Sequence, residues 1–272
     1  MSLDPLVRFS SRVQDYVRYR PSYPGEIIPL LVRQCGLTPE TAVADVGSGT
    51  GLLAQLFLKF GCRVMGVEPN AEMRQAGDEF LAEYSNFASV EGQAERTGLR
   101  DASIDLITAG QAFHWFQPEP ARLEFRRILK PGGWVVLIWN ERRVTPDGFL
   151  AGYEHLLREY APEYAVVDHR RIDANALRAF YQHENWSSAT YEYIQELDLA
   201  GARGRLLSSS YVPQPGAAQY EPMMNRLVEL FDRFQQNGRV SILYDTRVYF
   251  GQLSLKFEAQ WDTAGSSPNS FA

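Results

Sequence analysis

The sequence predicts an α/β fold, an open doubly wound sheet that is mostly parallel. Two observations carry this. Short β-like runs alternate with helical patterns through the first half of the chain, joined by brief Gly/Pro turns. The runs are also apolar throughout, as in strands covered by helices on both faces. With 272 residues, 45% hydrophobic and 22% charged, the chain is long enough to bury a full core as one domain over 1–272.

The elements are expected in this order. Ala42–Val46 is the first strand and Leu52–Phe60 the helix after it. Cys62–Val67 is the second strand. Ala71–Tyr84 is a helix opened by Pro69 and Asn70, residues that suit a helix start. Phe87–Glu91 and Ile104–Ala109 are the third and fourth strands. Pro118–Leu129 is a helix halted by Pro131-Gly132-Gly133, and Trp134–Trp139 is the fifth strand. Phe149 to Tyr181 is charged and helical. Ser188–Leu199 alternates like a strand, Arg203–Tyr211 and Tyr220–Gln236 read as helices, and Val240–Leu253 is β-like. The organisation is thus a core over 36–141, helical insertions forming a substrate cap over 149–200 and 203–237, and closing strands over 188–199 and 240–253. The small polar tail 264–272 is expected to be disordered.

Composition excludes several classes. A net charge of −6 argues against a broad phosphate-binding surface and so against nucleic acid. No stretch approaches the length of a membrane-spanning helix, and the N-terminus lacks the pattern of a secretory signal. Cys35 and Cys62 have no C-x-x-C spacing and read as free thiols in a reducing cytosol. His114, His155, His169 and His183 show no metal-ligand spacing, so no metal is expected. There is no G-x-S-x-G elbow, which disfavours an α/β-hydrolase.

The sharpest signal is Asp45-Val46-Gly47-Ser48-Gly49-Thr50-Gly51-Leu52. An acid ends a buried strand, and three alternating glycines lead into a helix. Glycine permits unusual dihedrals and close ligand approach, and the helix start offers free N–H groups. A dinucleotide site wants G-x-G-x-x-G, which this turn is not. A pyrophosphate gains nothing from Asp45, whereas a ligand with a cationic end does. The second strand ends in Glu68-Pro69-Asn70 with Met73 one turn on, and an acid there can accept hydrogen bonds from ribose hydroxyls. Dehydrogenases use the same device, so Glu68 points to a nucleoside ligand without choosing between them.

This run resembles the first motif of the class I S-adenosylmethionine-dependent methyltransferases, a Rossmann-like, seven-stranded family with a reversed last strand. The resemblance implies that the glycine turn (Gly47, Ser48, Gly49, Gly51) lies against the methionine and ribose parts of the cofactor. Asp45 would sit near its amino end, and Ala94 and Glu95 after the third strand near the adenine. Ala112-Phe113-His114-Trp115-Phe116, just after Gln111, resembles the trans-aconitate methyltransferase-like, small-molecule subgroup of the type 11 methyltransferases, as does the N-terminal Phe9-Ser10…Tyr16…Tyr19-Arg20-Pro21-Ser22-Tyr23-Pro24. Gln111, Ala112, Phe113, Tyr16 and Arg20 are accordingly further expected cofactor contacts, with Arg20 a partner for the methionine carboxylate. Tyr23, Trp115 and Trp139 are expected to wall an acceptor pocket, and His114 is the candidate general base. The implied activity is methyl transfer from S-adenosyl-L-methionine to oxygen or nitrogen of a small molecule, a carboxylate among the acceptors, releasing S-adenosyl-L-homocysteine. A nucleoside-binding protein without transfer activity is the alternative, and a NAD-dependent oxidoreductase a weaker one. The acceptor and the oligomeric state are left open.

Overall fold

The computed structural model describes residues 18–165, 174–181 and 186–253. Seven strands form one sheet: β1 (Ala42–Val46), β2 (Arg63–Val67), β3 (Phe87–Val90), β4 (Ile104–Gly110), β5 (Leu129–Arg142), β6 (Trp186–Leu197) and β7 (Val240–Gly251), in the order β3-β2-β1-β4-β5-β7-β6. The pairs β1–β2, β1–β4, β2–β3 and β4–β5 are parallel, while β7 runs antiparallel to both β5 and β6. The mostly parallel sheet with its reversed last strand is therefore as expected. Strand order reverses between β1 and β4, and ligands of such sheets bind outside the carboxyl ends at that point.

Side-chain alternation divides the core. Val43, Leu106, Val136, Ile138, Val248 and Phe250 pack under helices α1 (Ile27–Cys35) and α2 (Leu52–Phe60). Leu81, just past α3 (Ala71–Phe80), joins the same layer. Ala44, Ile107, Ala109, Val135, Leu137 and Trp139 pack under α4 (Pro118–Ile128) and α6 (Ala174–Tyr181) on the other face. Phe57, Phe125 and Phe180 are almost fully buried, each contributing roughly 1.5–3 kcal/mol by removal from water. A third apolar cluster lies where β6 and β7 outrun the other strands. There Val240, Ile242 and Tyr244 pack under α5 (Gly148–Tyr160), α7 (Leu199–Leu207) and α8 (Tyr220–Phe234).

Several boundaries differ from those expected, for identifiable reasons. The α3 helix stops at Phe80, because Leu81 turns inward to sit beneath Gly51; a Cβ on that glycine would lie 2.5 Å from Leu81 Cδ1. The β5 strand begins at Leu129, not Trp134. Ile104 pairs with Leu129 and Leu106 with Trp134, so residues 130–133 loop out as a bulge, with Gly132 at φ 80°. The α7 helix starts at Leu199, because Asp198 caps it by accepting from the Gly201 amide at 2.7 Å. The α1 helix was not foreseen: Pro29 lies inside it, and it ends on left-handed Gly36.

The helical region expected over 149–200 divides in three. The α5 helix joins the cluster beyond the strand ends. The α6 helix instead covers a sheet face, with Leu177, Phe180 and Tyr181 in the α4 layer. Residues 186–197 are strand. Residues 166–173, 182–185 and the 264–272 tail lie outside the described residues.

Candidate active site

The site is built from the carboxyl end of β1 outward. Asp45 is 1% exposed and lies on the α1–α2 face, at the switch point. Its Oδ1 accepts from the Thr108 hydroxyl of neighbouring β4 at 2.8 Å. Its Oδ2 makes no hydrogen bond. Burial pushes the Asp45 carboxyl up to about 7, against the Thr108 hydroxyl and the Ala54 amide of α2, which both lower it, and the nearby Glu68 charge adds to the rise.

The glycine turn follows. Gly47, Gly49 and Gly51 take φ of 69°, 55° and 83°, the left-handed region that other residues enter at a cost. The Gly47 and Ser48 amides donate to the Val67 carbonyl at 2.8 and 3.1 Å, which fastens the turn to the end of β2. A Cβ at Gly47 would lie 2.6 Å from Ala112 Cβ, so the segment after β4 rests directly on the turn.

Glu68 ties the turn to the second strand. Its Oε2 accepts from the Gly49 amide and its Oε1 from the Asn70 amide, both at 3.0 Å. Burial raises the Glu68 carboxyl, while these amides and the Arg74 charge pull it down. Arg74 is fixed on the Glu68 and Pro69 carbonyls at 2.8 and 2.9 Å. Asn70 caps α3 by accepting from the Met73 amide at 2.9 Å, and Met73 is buried beside Gly49. Glu95 accepts from the Gln117 amide at the start of α4 at 2.6 Å, and neighbouring Ala94 is buried with Val46 and Val67.

The N-terminal segment closes over this end of the sheet. Arg20 donates to the Ser208 carbonyl at 2.9 Å. The Ser22 carbonyl accepts from the Asn140 side chain at 2.9 Å, and Asn140 Oδ1 accepts from Thr246 at 2.6 Å. Tyr23 lies so close to Gly110 that a Cβ there would collide with its hydroxyl. Gln111 sits at φ 54°, with its side chain donating to the Asn140 carbonyl at 2.9 Å. The resulting cleft is lined by Arg20, Pro21, Tyr23, Asp45, Gly47, Ser48, Gly49, Thr50, Leu52, Leu53, Gly110, Gln111 and Asn140.

Many of the expected residues therefore converge, but not all. Phe113 is 4% exposed and edge-on to Trp139, Phe180 and Phe116, a core position outside the lining of this cleft. Trp139 faces the α4 layer, opposite Asn140, so it does not wall the cleft. His114 and Trp115 form a 3₁₀ turn after β4, their rings 4.8 Å apart, and neither lines this cleft. Tyr16 lies outside the described residues. Sequence reasoning missed Thr108, Asn140, Gly110 and Thr50, whose hydroxyl is buried without a hydrogen bond. Polar residues ending apolar strands were the available signal. Among the described residues no His/Cys/Asp/Glu group could hold a metal ion, and no helix is long and apolar enough to cross a membrane.

A buried carboxylate, Asp45, and a half-buried one, Glu68, beside a glycine turn make an acidic pocket that suits a cation bearing a diol and disfavours a pyrophosphate. Comparison with known proteins agrees with this chemistry. Residues 44–137 match the family described as a methyltransferase domain. An uncharacterised methyltransferase of Mycobacterium tuberculosis is 38% identical over 141 residues, 51% of this chain and 54% of that protein. One of Schizosaccharomyces pombe is 33% identical over 135 residues, 49% and 53% of the two chains. The chain thus spans about half the length of the curated relatives it matches. A solved structure assigned as a type II methyltransferase from Anaeromyxobacter dehalogenans shares the fold, with a TM-score of 0.62 at 19% identity over 86% of this chain and 98% of that one. Over residues 44–137, which run from β1 through the glycine turn, β2 and β4 into β5, this chain is thus similar to the methyltransferase-domain family, and it shares the fold of a solved methyltransferase.

Proposed function

We propose that the protein transfers the methyl group of S-adenosyl-L-methionine to a small-molecule acceptor. The observation that carries the reading is Asp45: a buried carboxylate oxygen without a hydrogen-bond donor, facing a cleft lined by left-handed glycines. A ligand ammonium supplies the missing donor. Gly47, Gly49 and Gly51 leave room for close approach, Glu68 retains acceptor capacity for ribose hydroxyls beyond its two amide bonds, and Arg20 suits the ligand's carboxylate. Bound there, the cofactor supplies an activated methyl on a positive sulfur, with S-adenosyl-L-homocysteine as the product.

The chain's own part is binding, orientation and exclusion of water. Tyr23 and the Arg20–Ser22 segment cover the carboxyl ends of β1 and β4. A carboxylate acceptor needs no base. A hydroxyl or amine acceptor needs one, and His114 after β4 remains the candidate by position. The two cysteines are free thiols, which suits a reducing cytosol; the acidic net charge favours small substrates over nucleic acid.

The test is release of S-adenosyl-L-homocysteine, with label from methyl-labelled cofactor, across a panel of carboxylic acids, phenols and amines. Acceptor-dependent release supports transfer. Tight cofactor binding with no release from any acceptor would favour the binding-module alternative, and a titration that responds to NADH instead would favour the oxidoreductase.

A further inference from the structure

Arg205, at the end of α7, is 8% exposed. Its hydrogen bonds go to the Tyr244 hydroxyl at 3.0 Å and to the Ser209 and Ser208 hydroxyls at 3.1 and 3.5 Å. It meets no carboxylate among the described residues. A buried charge is ordinarily paired, because desolvation costs several kcal/mol and hydroxyl dipoles offset only part of it.

The groups around it make the imbalance larger. Arg142 pairs with Tyr244 across β5 and β7 and lies over the Tyr153 ring at 5.1 Å. Its Nη2 meets Glu154 at 2.5 Å, but Nη1 is buried with no partner. The Tyr153 hydroxyl, on a side chain 2% exposed, is likewise buried with no partner. Glu154 also pairs with Arg158 at 2.9 Å, so this one carboxylate is shared. Arg142 Nη1 and Tyr153 Oη are both donors without an acceptor, beside a guanidinium without a counter-charge. An anion rich in acceptor oxygens would complete the cluster.

The position is also apt. Ser208, which contacts Arg205, offers its carbonyl to Arg20 of the cleft. Tyr244 reaches Gln195, which donates to the Tyr19 carbonyl at 2.9 Å. The cluster therefore adjoins the segment that closes the cofactor cleft. We propose that Arg205, with Arg142 and Tyr153, binds an anionic oxygen group of the methyl acceptor, a carboxylate or a phosphate ester. This rests on the methyltransferase reading above.

The experiment uses the full chain saturated with S-adenosyl-L-homocysteine, in which benzoate, succinate, benzamide and inorganic phosphate are compared by thermal shift and calorimetry. Benzoate or succinate should bind and benzamide should not; phosphate binding in their place would assign the phosphate ester. Arg205→Gln should weaken the bound anion by roughly 10–100-fold, the span for hydrogen bonds to charged groups, while S-adenosyl-L-homocysteine affinity stays within about twofold. Tyr153→Phe removes only a hydroxyl that has no protein partner. It should leave the melting temperature unchanged and still weaken the anion several-fold. Failure of wild-type protein to bind S-adenosyl-L-homocysteine would sink the methyltransferase reading itself. Intact cofactor binding with no anion bound would overturn this inference alone, as would an Arg205→Gln variant that loses cofactor affinity, since Arg205 would then hold the cofactor.

Discussion

Wild-type protein should bind the cofactor with a pH-dependent affinity, and replacing Asp45 by Asn should abolish that dependence. In the free protein burial holds the Asp45 carboxyl at about 7 rather than 3.8. The ligand ammonium recruits the ionised form, so binding below this value must expel a proton. At pH 6 about nine in ten molecules carry that proton, and at pH 8 about one in ten. Affinity for S-adenosyl-L-homocysteine should therefore fall about tenfold from pH 8 to pH 6, or about 1.4 kcal/mol. The sign for the free fold is the reverse. Raised in the folded state, the carboxyl adds stability that is full below pH 3.8 and is lost as pH rises through 7, by about 4 kcal/mol at most. Asn keeps an acceptor for the Thr108 hydroxyl but cannot ionise, so Asp45→Asn should bind weakly with a flat profile and melt higher than wild type above pH 7. Calorimetry in two buffers of different ionisation enthalpy reads the proton directly. Equal slopes in wild type and variant, or affinity that falls as pH rises, would refute the reasoning.

Three further outcomes are expected. Glu68→Ala removes the acceptor of the Gly49 and Asn70 amides and should weaken S-adenosyl-L-homocysteine by roughly 1.5–3 kcal/mol in a calorimetric titration. Gly110→Ala drives a methyl into Tyr23 and to within 2.9 Å of Leu53; it should cost about 1–3 kcal/mol in denaturant melts and reduce cofactor affinity as the N-terminal segment is displaced. Glu124 is held down at about 2, against the effect of burial, by hydrogen bonds from Arg127 and Thr97. Its stabilisation is present above its ordinary 4.5 and lost as pH falls through 2, so Glu124→Gln should lower the melting temperature at pH 7 and converge with wild type near pH 2.

The parts of the site that were legible in the sequence are those where backbone chemistry concentrates. Three alternating glycines after an acid have few uses, and Gly47, Gly49 and Gly51 all take left-handed φ. The acid ending the next strand, Glu68, does reach that turn. Side-chain direction was less legible. Trp134–Trp139 is apolar on both faces, so nothing in the run says which parity faces the cleft; the sheet register points Asn140 to it and Trp139 away. Phe113, expected near the cofactor from the resemblance of its segment, sits in a 3₁₀ turn with its ring in the core. The donors around Arg205 come from β5, α5, α7 and β7, with Arg142 and Tyr244 more than 100 residues apart in sequence and joined by the antiparallel pairing of β5 with β7.

The structure of the complex with S-adenosyl-L-homocysteine tests the central claim most directly. The account predicts one ligand per chain at the carboxyl ends of β1 and β4, its ribose hydroxyls on the Glu68 carboxylate and its ammonium on Asp45 Oδ2. A ligand bound away from the glycine turn, or one whose carboxylate rather than ammonium faces Asp45, would contradict it.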